Sequence, residues 1–124
     1  MKVAWDRVLN FTLWILQASL AVLFLYVGAS KMSSHDLFWV NLFAKIGIGQ
    51  WFRHFTGGLE VACAALLLIP RTSAIAAVLL ACTMVCAVLT HLLILRDGYA
   101  CVLPGFPLII LVAVAWQRRA SAAR

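Results

Sequence analysis

The chain has 124 residues, of which 65% are hydrophobic and 11% are charged, and its formal net charge is +6. Soluble domains usually carry about 25% charged residues, so this composition argues against a soluble domain and indicates a multi-pass membrane protein. The Lys and Arg residues lie scattered at the ends of apolar runs, which argues against a nucleic-acid-binding surface. The length allows a single transmembrane domain, residues 1–124.

Four apolar runs predict four transmembrane helices, over about residues 8–28, 55–69, 74–95 and 99–116. The first run has no charged residue from Val8 to Val27. It is longer than the roughly 7–15 residues of a signal-peptide core, so we expect a retained helix rather than a cleaved leader. Pro104 and Pro107 predict a kinked or irregular first half of the fourth helix.

The segment between the first two helices is long and rich in aromatic residues. Phe38, Trp39 and Phe43 alternate with cations such as Lys45, a combination that suits the headgroup level of a bilayer. The apolar side chains fall roughly on one helical face. We therefore expect an amphipathic segment lying in the membrane plane over about residues 36–52.

Short second and third loops predict an all-α fold, an integral membrane four-helix bundle of up-down-up-down topology with one long amphipathic loop. Both chain termini would then lie on one side of the membrane. Six of the ten Lys and Arg residues fall on that side: Lys2, Arg7, Arg71, Arg118, Arg119 and Arg124. The positive-inside bias predicts that the termini are cytoplasmic.

Small residues at three places predict close helix packing, and the first of these is Gly28 at the end of the first helix. Gly57 and Gly58 are adjacent in the second helix, and we expect a close helix contact there rather than a phosphate-binding loop. Ser73, Ala77 and Ala81 are four residues apart in the third helix and so share one face.

Three ionisable residues are the candidates for function. Glu60 is one of only four acidic residues and lies in an apolar run, where a charge normally faces a partner rather than lipid. Counted from Arg53, it lies about 10 Å inside the second helix, and His91 lies about 7–8 Å inside the third, counted from Arg96. Lys31 closes the first helix on the same side. The spacing therefore predicts Lys31, Glu60 and His91 at one depth.

Two readings of this trio remain open. Lys31 and Glu60 can form an ion pair that only holds two helices together, with His91 hydrogen-bonded nearby. Alternatively, the three side chains line a polar pocket that binds a small head group or relays protons, with His91 titrating near neutral pH. Gln17, deeper in the first helix, is expected to make an interhelical hydrogen bond.

The sequence contains no catalytic motif and no metal-binding motif. The four cysteines form no C-x-x-C pair, and three of them lie inside apolar runs, where thiols pack as small hydrophobic groups. His35 and His54 have no cysteine or carboxylate ladder beside them, so no metal site is expected. Whether the protein is an enzyme stays open at this point.

Several stretches resemble the DoxX-like family of small bacterial inner-membrane proteins: LFLYVGASKM from residue 23, FAKIGIGQWFRHFTGGLEVACAALLLIPRTSAIAAVLL from residue 43, and MVCAVLTHLLIL from residue 84. The likeness covers roughly residues 20–95. It marks six positions as family-type: Gly28, Lys31, Gly47, Gly58, Glu60 and His91. The last helix adds nothing to it.

The resemblance implies a four-helix protein of the bacterial inner membrane, and some members of the family are associated with quinone-linked redox systems or oxidative-stress complexes. We therefore expect a subunit or partner of such a system that binds a small amphipathic ligand, such as a quinone, at Lys31, Glu60 and His91. No cofactor is evident in the chain itself, so a bound quinone or a redox partner would carry the electrons. The alternative is a non-catalytic scaffold or assembly protein, and homo-oligomers remain open in both cases.

Overall fold

The computed structural model describes residues 2–96 and 98–119, and the regular secondary structure of this part of the chain is all helical. Its elements are α1 (Lys2–Met32), α2 (Leu37–Ile46), α3 (Gln50–Leu67), α4 (Ser73–Leu93), a 3₁₀ turn (Gly98–Cys101) and α5 (Val102–Arg118). α1 thus begins at Lys2, ahead of the uncharged run.

Three helical segments are long and apolar enough to cross a bilayer: Val3–Met32, Ser73–Leu93 and Gly98–Arg118. The protein is therefore a helical membrane protein. α3 is not among these segments, because its 18 residues include Gln50, Arg53 and Glu60. Its polar side chains are the ones that the remaining helices must satisfy.

The helices pack in a defined order. α1 lies along α3, α4 lies along α5, and α3 lies against α4, with a shorter contact between α1 and α5. A hydrogen bond of 2.7 Å from Arg118 to Asn10 places the start of α1 beside the end of α5. The apolar core is formed by Leu13, Leu20, Ala21, Phe24, Cys63, Ala64, Leu67, Ala76, Ala77, Leu80, Met84, Leu111 and Val114.

Two glycines set the distance between α1 and α3. A Cβ atom added to Gly57 would lie 2.6 Å from the carbonyl oxygen of Gly28, and one added to Gly28 would lie 2.7 Å from that of Gly57. Side chains do not tolerate such distances to backbone, so the two helices approach this closely only because both residues are glycine. Gly58 differs from its neighbour, since a Cβ there would meet no atom within 4 Å.

The small residues of α4 also face the protein interior. Ser73 and Ala77 are fully buried, and Ala81 is partly buried against the core. The four-residue spacing places them on one face of α4, where short side chains let a neighbouring helix approach.

The segment between α1 and α3 contains one short helix. α2 ends at Gly47, whose φ of 84° is in the left-handed region and whose N–H donates to the carbonyl of Phe43. α3 then begins at Gln50, so residues 50–52, which the segment expected over residues 36–52 includes, are the first residues of α3. The ring centre of Phe52 lies 5.9 Å from that of the buried Phe43, so the first turn of α3 packs against α2.

The last apolar segment begins with a 3₁₀ turn rather than with α-helix, and both of its prolines lie in the α-helix that follows. This 3₁₀ turn directly precedes α5. Pro104 is the third residue of α5, and Pro107 lies further inside the helix. Because the first turn of a helix has N–H groups without intrahelical partners, Pro104 removes no hydrogen bond there. Pro107 removes one intrahelical hydrogen bond, but α5 continues past it to Arg118. Both prolines are buried.

The glycine contact leads to a test of helix packing. Gly57→Val should lower the free energy of unfolding by about 1–3 kcal/mol, the usual effect of forcing atoms into a packed contact. Gly58→Ala is the matched control and should leave stability unchanged or raise it by about 0.4–1 kcal/mol, since alanine restricts the unfolded chain. Thermal unfolding of both variants in detergent gives the comparison, and equal stability of the two would contradict the packing argument.

Candidate functional site

A buried ion pair joins α1 to α3. The Lys31 ammonium Nζ lies 2.6 Å from Oε1 of Glu60, and the two residues are 7% and 0% exposed. Charges in an apolar interior are stable only when they are paired or hydrogen-bonded, so each of these residues depends on the other.

The glycine contact explains why the pair forms. Lys31 follows Gly28 by three residues on α1, and Glu60 follows Gly57 by three residues on α3. Residues three apart share a helix face, so the two charged side chains lie on the faces that the glycines bring together. Backbone contact at the glycines therefore places the ammonium within reach of the carboxylate.

The aromatic ring of Trp39 covers the ammonium group. Trp39 belongs to α2, and the centre of its ring lies 4.8 Å from Nζ of Lys31. A cation over an indole face is stabilised by the ring quadrupole, more strongly where water is excluded. α2 thus contributes to the site, a role that its aromatic residues alone did not reveal.

Arg53 is a buried cation whose structural role the sequence did not reveal. Its Nη1 donates to the carbonyl oxygens of Lys31 and Ser33, the latter at 3.0 Å, and its Nε donates to Gln50 at 2.7 Å. These carbonyls are at the end of α1, where helix oxygens lack intrahelical partners and the helix dipole favours a cation. Arg53 therefore ties α3 to the end of α1; the sequence suggested only that it marks a helix boundary.

One oxygen of Glu60 has no hydrogen-bond donor among the described residues. Oε1 accepts from Lys31, whereas Oε2 is buried and accepts from no group. A buried acceptor without a donor destabilises a structure by about 1–3 kcal/mol, and by more when the group is charged. Such an atom inside a membrane protein marks a place where a ligand donor would be favourable.

His91 and Glu60 lie at different distances from the ends of their helices. His91 lies two residues from the end of α4, about 3 Å along the axis, whereas Glu60 lies ten residues from the corresponding end of α3, about 15 Å. The prediction of a shared depth counted from Arg53, which lies three residues inside α3, and from Arg96, which lies three residues beyond α4. His91 is partly buried, but it does not donate to Oε2 of Glu60.

A second polar cluster lies at the other end of the helices. The buried amide of Gln17 donates to the carbonyl of Leu67 at 2.9 Å, which is the expected interhelical hydrogen bond. Nε of Arg118 donates to the Gln17 oxygen at 2.8 Å, and its guanidinium lies 5.1 Å from the ring of Trp14. The cluster links α1, α3 and α5.

No group of three or more metal-ligating side chains occurs among the described residues.

Comparison with known proteins yields one match. The profile of the DoxX-like family matches residues 15–115, which is most of the chain and includes all of α2 to α4. No curated protein and no solved structure matches the sequence significantly.

The ion pair predicts a strong coupling between two substitutions. Lys31→Met leaves the Glu60 carboxylate buried without its cation and should destabilise the protein by about 3–5 kcal/mol. The double variant Lys31→Met, Glu60→Met removes both charges and should be more stable than the single variant. Chemical denaturation of wild type, both single variants and the double variant in detergent completes the cycle. Additive effects would show that the two side chains do not depend on each other.

Proposed function

Since the chain belongs to the DoxX-like family of membrane proteins, we propose that it binds a small amphipathic ligand of the quinone type at Lys31 and Glu60. In this proposal it acts as a subunit or partner of a quinone-linked redox or oxidative-stress system in the bacterial inner membrane. The electrons are carried by the quinone and the partner protein, and the protein supplies the binding site.

The unpartnered Oε2 of Glu60 is the observation that carries this proposal. It is a buried acceptor next to a buried cation, Lys31, whose three N–H groups exceed the one hydrogen bond to Oε1. The hydroxyl of a quinol can donate to Oε2, and the carbonyl of a quinone can accept from the ammonium. An acceptor and a donor side by side suit both oxidation states of such a ring.

The surroundings of the pair are consistent with an amphipathic ligand. Trp39 supplies an aromatic face against which a ring can pack, and the α1–α3 contact around Gly28 and Gly57 is apolar apart from the pair. His91 was predicted as a third ligand residue that donates to a ligand oxygen. Its position near the end of α4 favours a site formed by Lys31 and Glu60 without it.

The proposal includes a membrane topology with four spans. α3 would cross the membrane as the fourth span, because α1 neutralises Glu60 and the end of α1 accepts the hydrogen bonds of Arg53. The four long helices would form an up-down-up-down bundle with α2 in the membrane plane. Both termini would be cytoplasmic, on the side with more Lys and Arg residues.

A non-catalytic scaffold is the second candidate, and the burial of the pair favours it. Lys31 and Glu60 are closed off from solvent, and Arg53 adds a further link between α1 and α3. In a scaffold these charges only specify how the helices pack, and the exposed rings of Phe38 and Trp51 contact a partner protein.

Glu60→Gln separates the two functions by ligand binding. The variant keeps the shape of the side chain but removes the anionic acceptor, so a short-chain quinol should bind about tenfold more weakly, as expected for a charge-assisted hydrogen bond of about 1.5 kcal/mol. Asp6→Asn, which neutralises an exposed carboxylate on α1, is the control and should bind as wild type does. Isothermal titration on the folded proteins in detergent measures both; unchanged affinity of Glu60→Gln would refute the proposal.

Reversing the pair gives a second test. In Lys31→Glu, Glu60→Lys the two charges can still attract each other, so the fold should be largely retained. The donor and acceptor exchange places, however, and quinol binding should be lost. Thermal unfolding and quinol titration on the same preparation distinguish the outcomes. A reversed variant that keeps full binding would show that the quinol does not bind at this pair and would refute the proposed site.

A further inference from the structure

An apolar groove lies between α4 and α5, away from the ion pair. Its volume is about 640 Å³, and the residues that line it belong to these two helices, apart from Arg119, which directly follows α5. Small side chains, Ala81 on α4 and Ala115 on α5, leave the space open. None of the lining residues takes part in the Lys31–Glu60 pair or in its surroundings, so the groove needs an explanation of its own.

The groove has the length of one bilayer leaflet. Its lining residues extend from Val78 to Cys86 on α4, about 12 Å along the axis, and from Leu108 to Arg119 on α5, about 16 Å. The hydrocarbon core of a bilayer is about 30 Å thick, so either side of the groove spans roughly half of it. A straight acyl chain of a single leaflet has the extent and the chemistry to lie there.

A cation stands at one end of the groove. Arg119 follows the last residue of α5, and its guanidinium lies 3.8 Å from the ring of Trp116, which also lines the groove. Trp and Arg side by side at a helix end are typical of the headgroup level. A guanidinium can donate two parallel hydrogen bonds to a phosphate, which makes it selective for phosphate over a neutral head group.

We propose that this groove binds one anionic phospholipid, with an acyl chain between α4 and α5 and its phosphate at Arg119. Among the described residues that line the groove, Arg119 is the one that is charged, and it lies where the headgroup of such a lipid would be. Apolar length and a terminal cation together match a lipid better than either does alone. This site is separate from the quinone site and does not depend on it.

A second copy of the chain fits the groove less well. Two copies of the same topology are related by an axis along the membrane normal, so a contact through this groove is self-complementary. It would bring the two Arg119 side chains to the same level on opposite sides of the axis. Like charges at a shared contact are unfavourable, whereas a phosphate neutralises the charge.

The test compares phosphatidylglycerol with phosphatidylcholine by native mass spectrometry of the full chain in detergent. Wild type should bind one phosphatidylglycerol about fivefold more tightly than phosphatidylcholine, the preference expected from one cation near the headgroups. Arg119→Gln should bind both lipids equally. Ala115→Phe fills the groove and should reduce binding of both.

Two matched controls lie outside the groove. Arg7→Gln removes an exposed cation at the same end of the molecule, and Ala113→Phe adds the same volume elsewhere on α5; both should bind lipid as wild type does. The proposal is overturned if folded Arg119→Gln keeps the fivefold preference. It is also overturned if mild oxidation in phosphatidylglycerol vesicles cross-links two copies through Cys82 or Cys86, which line the groove and are exposed, because a second copy then occupies it.

Discussion

The close approach of α1 and α3 is the constraint on which the other features of this protein depend. Gly28 and Gly57 bring two backbones into contact, and only this spacing lets Lys31 reach Glu60 with both side chains buried. In hydrocarbon the helices gain nothing from hiding apolar surface, so van der Waals contact and polar pairing must hold them together. The glycines provide the van der Waals contact, and the ion pair provides the polar pairing.

The remaining polar side chains link the helices in the same way at both ends of the molecule. At one end Arg53 satisfies the last carbonyls of α1, and Trp39 covers the ammonium of Lys31. At the other end Gln17 and Arg118 link three helices through hydrogen bonds. An apolar environment favours polar atoms that have partners, and among the described residues two buried side-chain atoms have none: Oε2 of Glu60 and Nη2 of Arg118. The proposed ligand site accounts for the first of these two atoms.

Family membership and the helical membrane character follow from the sequence with little help from the structure. Runs of apolar residues with cations at their ends are recognisable one by one, because crossing a bilayer imposes the same length and composition on each helix. The family signature likewise consists of local patterns around Lys31, Glu60 and His91. Depth was harder to predict: Arg53, from which the depth of Glu60 was counted, lies three residues inside α3, and Arg96, from which that of His91 was counted, lies three residues beyond α4.

The sequence by itself determined that this is a helical membrane protein of the DoxX-like family in which Glu60 needs a partner. Only the tertiary structure decided that Lys31 is this partner, that Arg53 is a buried cap rather than a boundary residue, and that Gly57 packs tightly whereas Gly58 does not. Periodicity assigns a residue to a helix and roughly to a face. Which helix faces pack together, and at which positions along their axes, depends on contacts between residues that are distant in sequence. Local sequence patterns do not contain these contacts.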